Sequence, residues 1–293
     1  MNTWIGSKML ISEQRSSYLD KIFKVRKPLI GDIHLLPLPG TPRYANETME
    51  AIISRALSDA DAFVAGGMDG IIIENHGDIP FLKPDDIGPE IIAAMTVIAD
   101  RVARNIGVPV GINLLANGSI GSLAIAKASG ANFVRVNQWV NAYVSNEGII
   151  EGESAKALRY RKQIDAEDVA IFADVHVKHG SHAIVGDRSI GEQAADAEFY
   201  GADVTIATGN RTGDSVPETE ISAVRSGTQL PVIAGSGITV GNAGELLRKL
   251  DGAIIGSSLK FDGVWWNAVE IERVRRLVEQ VKPLRDMPTD AER

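Results

Sequence analysis

The chain has 293 residues, 44% of them hydrophobic, no cysteine and a formal net charge of −8. That length suits one large core, because α/β barrels fill it as a single domain. Lack of cysteine excludes disulfides, thiolate metal sites and cysteine nucleophiles, and an acidic chain without a Lys/Arg cluster argues against a nucleic-acid surface. No apolar run reaches the roughly 18 residues of a membrane span, and the start Met1-Asn-Thr-Trp-Ile-Gly-Ser-Lys lacks a signal-peptide core. A cytoplasmic protein is the expectation.

Residues 1–27 precede the first apolar run and are expected to form a short helical extension over one mouth of the fold. The main domain is expected over 28–282, with a tail of 283–293. Eight short apolar runs read as strands: Leu29–His34, Gly70–Asn75, Pro109–Leu114, Phe133–Asn137, Val169–Val177, Asp203–Thr208, Pro231–Ala234 and Gly252–Ile255. Most are rich in Val and Ile, as strands buried on both faces must be. Helical periodicity fills the gaps. Apolar residues at Met49, Ile52, Ile53, Ala56, Leu57, Ala60, Phe63 and Val64 define one helix, with Asn46 as N-cap and Gly66-Gly67 as stop. Similar spacing runs over Ile91–Val102 and Val264–Val281. Four helix ends share a glycine grammar, at Gly66-Gly67, Gly130, Gly201 and Gly252, each reading as a C-cap before a strand. Eight alternating units require crossover helices and hence parallel strands. The fold class is α/β, a single (β/α)8 barrel.

Side chains alternate along a strand, and polar groups inside an apolar strand are costly unless they have work to do. Such groups collect at the carboxyl ends, where barrels carry their chemistry. Strand 1 offers Asp32 and His34 on one face, and strand 2 offers Glu74 with His76 on one parity and Asn75 on the other. Asn113 ends strand 3, while Arg135 and Asn137 end strand 4. Asp174, His176 and Lys178 follow at two-residue spacing, which predicts one shared face at strand 5. That cluster allows general acid/base work, a divalent metal site completed by Glu74 or His34, a Schiff-base lysine, or a plain ion pair of Asp174 with Lys178 or Arg135. Catalytic candidates are His34, Glu74, Asp174, His176 and Lys178.

After strand 6, Ala207–Ser215 is long and polar and reads as a lid whose Arg211 meets an anion. Gly77–Pro84 is a second such loop. Trp265-Trp266 reads as packing for the last helix. The end of the chain is the strongest signal. Pro231-Val-Ile-Ala-Gly-Ser-Gly237 and Asp251-Gly-Ala-Ile-Ile-Gly-Ser-Ser258 each run a strand into a Gly/Ser turn. Turns after barrel strands 7 and 8 commonly hold phosphate, so Gly235, Ser236, Gly237, Gly256, Ser257 and Ser258 are the expected oxyanion site.

The pieces His34-Leu…Leu38-Pro-Gly-Thr-Pro42, Glu74-Asn-His-Gly-Asp78, Asp174-Val-His-Val-Lys-His179, Thr208-Gly…Thr212-Gly-Asp214, Gly235-Ser-Gly-Ile and Ser258-Leu-Lys-Phe-Asp-Gly263 together resemble the BtpA/SgcQ family. The resemblance runs from about Pro28 to about Lys282 and implies a TIM barrel of the ribulose-phosphate-binding kind. It implies function for His34, Asn75, Lys178, Thr208, Asp214, Gly237 and Lys260, while Asp32 stands where the family usually has an apolar residue. One branch is named for photosystem I biogenesis, the other for genes beside sugar-utilisation systems. Two readings follow: an enzyme moving protons on a phosphorylated sugar or related metabolite, as a lyase or isomerase, or a non-enzymatic assembly factor. Metal-assisted phosphate-ester or nucleotide hydrolysis is a third. Substrate-contact candidates are Asn75, Asn113, Arg135, Asn137, Thr208, Arg211, Asp214 and Lys260. The expected ligand is a phosphorylated small molecule, with no assigned cofactor or metal ligand. A divalent ion and a homo-oligomer both stay open.

Overall fold

In the computed structural model, which describes residues 18–209 and 214–286, strand pairing closes into a ring. The barrel strands are β1 (Leu29–His34), β2 (Gly70–Glu74), β3 (Val110–Asn113) and β4 (Phe133–Val136), then β7 (Ala170–Asp174), β8 (Val204–Ala207), β9 (Val232–Ala234) and β10 (Gly252–Ile255). Every barrel pairing is parallel, in the order β1-β10-β9-β8-β7-β4-β3-β2. The expected closed α/β barrel is therefore present. Five of the eight strands end one to three residues earlier than the apolar runs suggest, so Asn75, Asn137, His176, Lys178 and Thr208 sit in the loops that follow them.

Helices α1 (Met49–Gly66), α2 (Pro89–Asn105), α3 (Ser119–Ser129), α4 (Ser154–Gln163), α5 (Ile190–Phe199), α6 (Glu218–Gly227), α7 (Ala243–Lys249) and α8 (Ile271–Arg285) interleave with the strands. α1 starts later than expected: Thr48, not Asn46, caps it by accepting from the Ala51 amide, and Gly67 ends it at φ 97°. Gly252 opens β10 rather than capping a helix. Residues 264–270 are not helical, so the expected helix over Val264–Val281 begins only at Ile271. It runs through residue 282, where the main domain was expected to stop.

A hairpin absent from the sequence reading interrupts the βα rhythm. β5 (Ala142–Ser145) pairs antiparallel with β6 (Gly148–Glu151) between β4 and α4. Tyr143 and Ile150 bury one face of it against Val177. The signal was there, in two alternating runs flanking Asn146-Glu147, the kind of short polar connection a hairpin uses.

The barrel is layered by strand parity. Ile30, Ile72, Phe133, Phe172, Val204, Ile206, Ile233 and Ile254 fill the interior, while Leu29, Ile33, Ile71 and Ile73 face the helices. Phe172 stacks on Phe133 at 4.5 Å between centroids, and Phe23 meets Phe133 edge-on at 5.7 Å. Residues 18–23 are helical, so the described part of the N-terminal segment brings Phe23 into the bottom of the barrel. The next inward residues along β1, β2, β4 and β7 are Asp32 and His34, Glu74, Arg135 and Asp174. The polar layer thus begins one step above the apolar one, at the carboxyl ends. No described helix is long and apolar enough to cross a membrane.

Candidate functional site

A cavity of about 380 Å³ opens at the carboxyl ends of the strands. Asp32, His34, Glu74 and Arg135 line it from the barrel, the hairpin adds Tyr143 and Ser145, and Trp265 closes one side. Both Gly/Ser turns also reach it.

The floor is a charge network. Arg135 Nε donates to Asp174 Oδ1 and Nη2 to Oδ2, each at 3.0 Å, and Asn137 Nδ2 donates to the same Oδ2 at 3.2 Å. Burial alone would lower the Arg135 pKa, but Asp174, backed by Glu74 and Asp32, raises it. Asp174 lies under the cavity and is spent on this pair. Of the roles the sequence allowed it, the ion pair with Arg135 is the one present.

Glu74 accepts from Asn113 Nδ2 at 2.5 Å and shares a 2.6 Å hydrogen bond with His76 Nδ1. Burial would raise its carboxyl, but the hydrogen bond and charge of His76, with His34 and Arg135 nearby, hold it below the usual carboxylate range. His34 lies beside it, since β1 and β2 pair His34 with Glu74. Its Nδ1 lies 2.9 Å from the Trp265 carbonyl oxygen. A carbonyl only accepts, so Nδ1 carries a proton, while Nε2 lies 3.3 Å from Asp32 Oδ2. Burial, then Lys260, lowers the His34 pKa against the pull of Asp32.

Lys178 reaches the cavity from the loop after β7. Burial, then Arg135, pulls its amine down to about 8, against Glu74, Asp174 and Asp32. Among the described residues no carboxylate forms a salt bridge with it. Its backbone amide donates to Thr208 Oγ1 at 3.2 Å, which fixes where the lysine leaves the loop.

In the two turns the serine hydroxyls are already committed. Ser236 Oγ donates to Thr208 O and Ser258 Oγ to Ile238 O, both at 2.7 Å. Among the described residues the amides of Ser236, Gly237, Ile238, Ser257 and Ser258 donate to no backbone carbonyl. These amides are the available anion donors. α7 starts at Ala243, beyond the first turn, so loop amides rather than a helix start face the cavity. Asn242 accepts from the Thr239 amide and donates to Gly237 O, both at 2.8 Å, which holds the turn. Gly237 has φ 75°, and a Cβ there would lie 1.9 Å from the Asp214 carbonyl oxygen.

The expected residues divide clearly. His34, Glu74, Arg135, Asn137, Lys178 and all six turn residues line one cavity. His176 does not join them, a correction to the shared face predicted for Asp174, His176 and Lys178. β7 ends at Asp174 and His176 has φ 58°, so strand alternation no longer applies. Its ring stacks on His182 at 3.8 Å instead. Asn75 also turns away: its Oδ1 accepts from the Leu115 amide at 2.7 Å and its Nδ2 donates to Asp78 at 2.9 Å, so it braces two loops. Asn113 bonds to Glu74 and Thr208 to Lys178 and Ser236, and none of Asn113, Thr208 and Asp214 lines the cavity. Lys260 is fully buried, its Nζ has no hydrogen-bond partner among the described residues, and burial draws it down to about 8. Arg211 lies outside the described residues. Trp265, expected in helix packing, instead meets His76 at 4.5 Å between ring centroids, while Trp266 is 59% exposed. His76, Tyr143 and Trp265 are among the cavity residues that the sequence did not mark as candidates.

The profile of the BtpA family matches residues 25–283. A protein of Archaeoglobus fulgidus is 43% identical over 258 residues, covering 88% of this chain and 100% of the relative. "Photosystem I biogenesis protein BtpA" of Synechocystis is 38% identical over 282 residues, covering 93% of this chain and 96% of that one. Among solved structures, thiamine phosphate pyrophosphorylase from Pyrococcus furiosus superposes with a TM-score of 0.52 at 17% identity, covering 88% of this chain and 96% of that chain. That likeness is one of fold.

Proposed function

The chain belongs to the BtpA family, and on that footing we propose that it is an enzyme acting on a phosphorylated sugar or a related small phosphorylated metabolite. Its reaction is proton transfer at carbon, of lyase or isomerase type. The observation that carries this reading is the placing of Lys178, an amine without a salt-bridge partner among the described residues, in the same cavity as two turns of free amides.

The amides of Ser236–Ile238 and Ser257–Ser258 hold the phosphoryl group, with Arg135 beneath the first turn. The rest of the ligand extends over the polar floor toward Lys178. With its pKa near 8, the lysine exists in both protonation states close to neutrality, as a general acid/base requires. It removes a proton from a carbon next to a carbonyl and returns it elsewhere on the same substrate. Fixed donors facing the developing oxyanion lower the barrier further.

The name of the Synechocystis relative supports a second reading, an assembly factor that keeps the barrel as a scaffold. The polar lining argues against it, because burying Arg135, Glu74 and Lys178 without a ligand to serve is costly. A thermal-shift screen of sugar phosphates, followed by carbon–deuterium exchange in D₂O, separates the two. Binding with exchange that Lys178→Met slows by about 10² to 10⁴ supports the enzyme. No stabilisation by any phosphorylated compound, or unchanged exchange in the variant, overturns it. Borohydride trapping is expected to give no adduct at Lys178.

A further inference from the structure

The wall of the cavity at β1 and β2 gathers two carboxylates and two imidazoles, Asp32, Glu74, His34 and His76. His34 and Glu74 sit opposite one another in the strand register, and His76 follows two residues after Glu74. One ligand atom from each of the three lies within 4.8 Å of the others. The rings of His34 and His76 stack at 4.5 Å between centroids.

Hydrogen bonding leaves this group poised to take a cation. His34 gives its Nδ1 proton to the Trp265 carbonyl, so its Nε2 lone pair faces Asp32 Oδ2 at 3.3 Å. In the neutral imidazole that lone pair stands beside a carboxylate, an arrangement that a metal ion satisfies. Asp32 is 5% exposed, lines the cavity, and its Oδ1 has no partner. Arg135 is committed to Asp174, whereas Asp32 and Glu74 face the imidazoles of His34 and His76.

We propose that His34, Glu74 and His76 bind one first-row divalent transition metal ion, Zn²⁺ in preference to Mg²⁺, with Asp32 alongside. Two imidazoles and one carboxylate form a borderline donor set. Such sets suit zinc and its neighbours, whereas Mg²⁺ seeks oxygen ligands and keeps its waters. The outer partners fit as well. Asn113 orients Glu74 and the Trp265 carbonyl orients His34, as the second shell of a metal site does. A Cβ at residue 256 would lie 2.9 Å from His34 Nε2, so Gly256 keeps that nitrogen clear. Three protein ligands leave further positions toward the cavity, where a substrate oxygen can bind.

The site does not depend on the proton-transfer chemistry proposed above, and its test contains no phosphorylated compound. Protein stripped with EDTA and dialysed is titrated separately with ZnCl₂ and MgCl₂ by calorimetry, and with CoCl₂ by visible absorption. Expected are about one Zn²⁺ per chain, weak Mg²⁺ binding, and a Co²⁺ spectrum showing nitrogen ligation. Asn113→Ala is expected to weaken Zn²⁺ binding by about 10- to 100-fold, and His76→Ala by more. His182→Ala, at a histidine outside the cluster, is expected to leave it unchanged. Zn²⁺ binding that survives His76→Ala, Mg²⁺ binding as tight as Zn²⁺, or no bound ion overturns the site. Should a variant fail to fold, the wild-type stoichiometry and Co²⁺ spectrum still decide.

Discussion

Arg135 and Asp174 form a two-pronged ion pair on the barrel floor, with both Nε–Oδ1 and Nη2–Oδ2 at 3.0 Å. Their side chains are only 3% and 0% exposed, so water screens neither charge. Breaking one side of such a pair strands the other charge. Asp174→Ala is expected to destabilise the protein by about 3–5 kcal/mol, measured by urea denaturation with an unchanged m-value. A loss below about 1 kcal/mol would place the pair in a wet environment.

The Lys178 amine is depressed from 10.5 to about 8 in the folded chain, so the unfolded chain binds more protons between those two values. Stability therefore rises with pH across that window, and the burden of the charged lysine is fully present below about 8. Lys178→Met is expected to raise the melting temperature at pH 7. The difference from wild type should shrink as pH climbs from 8 toward 10.5, and a gain independent of pH would contradict this.

Ser257→Ala is expected to change the affinity for a phosphorylated ligand by less than a factor of about three, since the amides rather than the hydroxyl donate. Gly237→Ala is expected to weaken it much more. The route is indirect: a Cβ at φ 75° presses on the Asp214 carbonyl and displaces the turn. Titration with inorganic phosphate measures both, and equal effects would count against the amide site.

His176→Asn is expected to leave turnover within a few-fold of wild type, because the ring stacks on His182 away from the cavity. A loss approaching that of Lys178→Met, in the same exchange assay, would return His176 to the mechanism.

The barrel was legible because buried parallel strands have an unmistakable composition, and parity placed Asp32, His34 and Glu74 correctly while the strands remained regular. It failed in the loop after β7. At His176 the backbone enters the left-handed region, and two-residue spacing no longer means one face. Asn75 has a similar lesson: an amide beside a loop finds backbone partners before it finds a ligand. Trp265 could not be read, since its place beside His34 depends on a contact across the whole chain. The hairpin could have been read, but eight strands already satisfied the barrel count.

The hydrogen bond from His34 to Trp265 spans 231 positions in the sequence. During synthesis the first strand must therefore wait for nearly the entire chain before that imidazole finds its fixing carbonyl. β10, the immediate neighbour of β1, also arrives late, and it brings Gly256 against the same ring. A chain truncated before residue 265 loses the carbonyl that fixes this tautomer. The metal site proposed at the β1–β2 wall is therefore complete only once the chain through Trp265 has folded back onto its first strand.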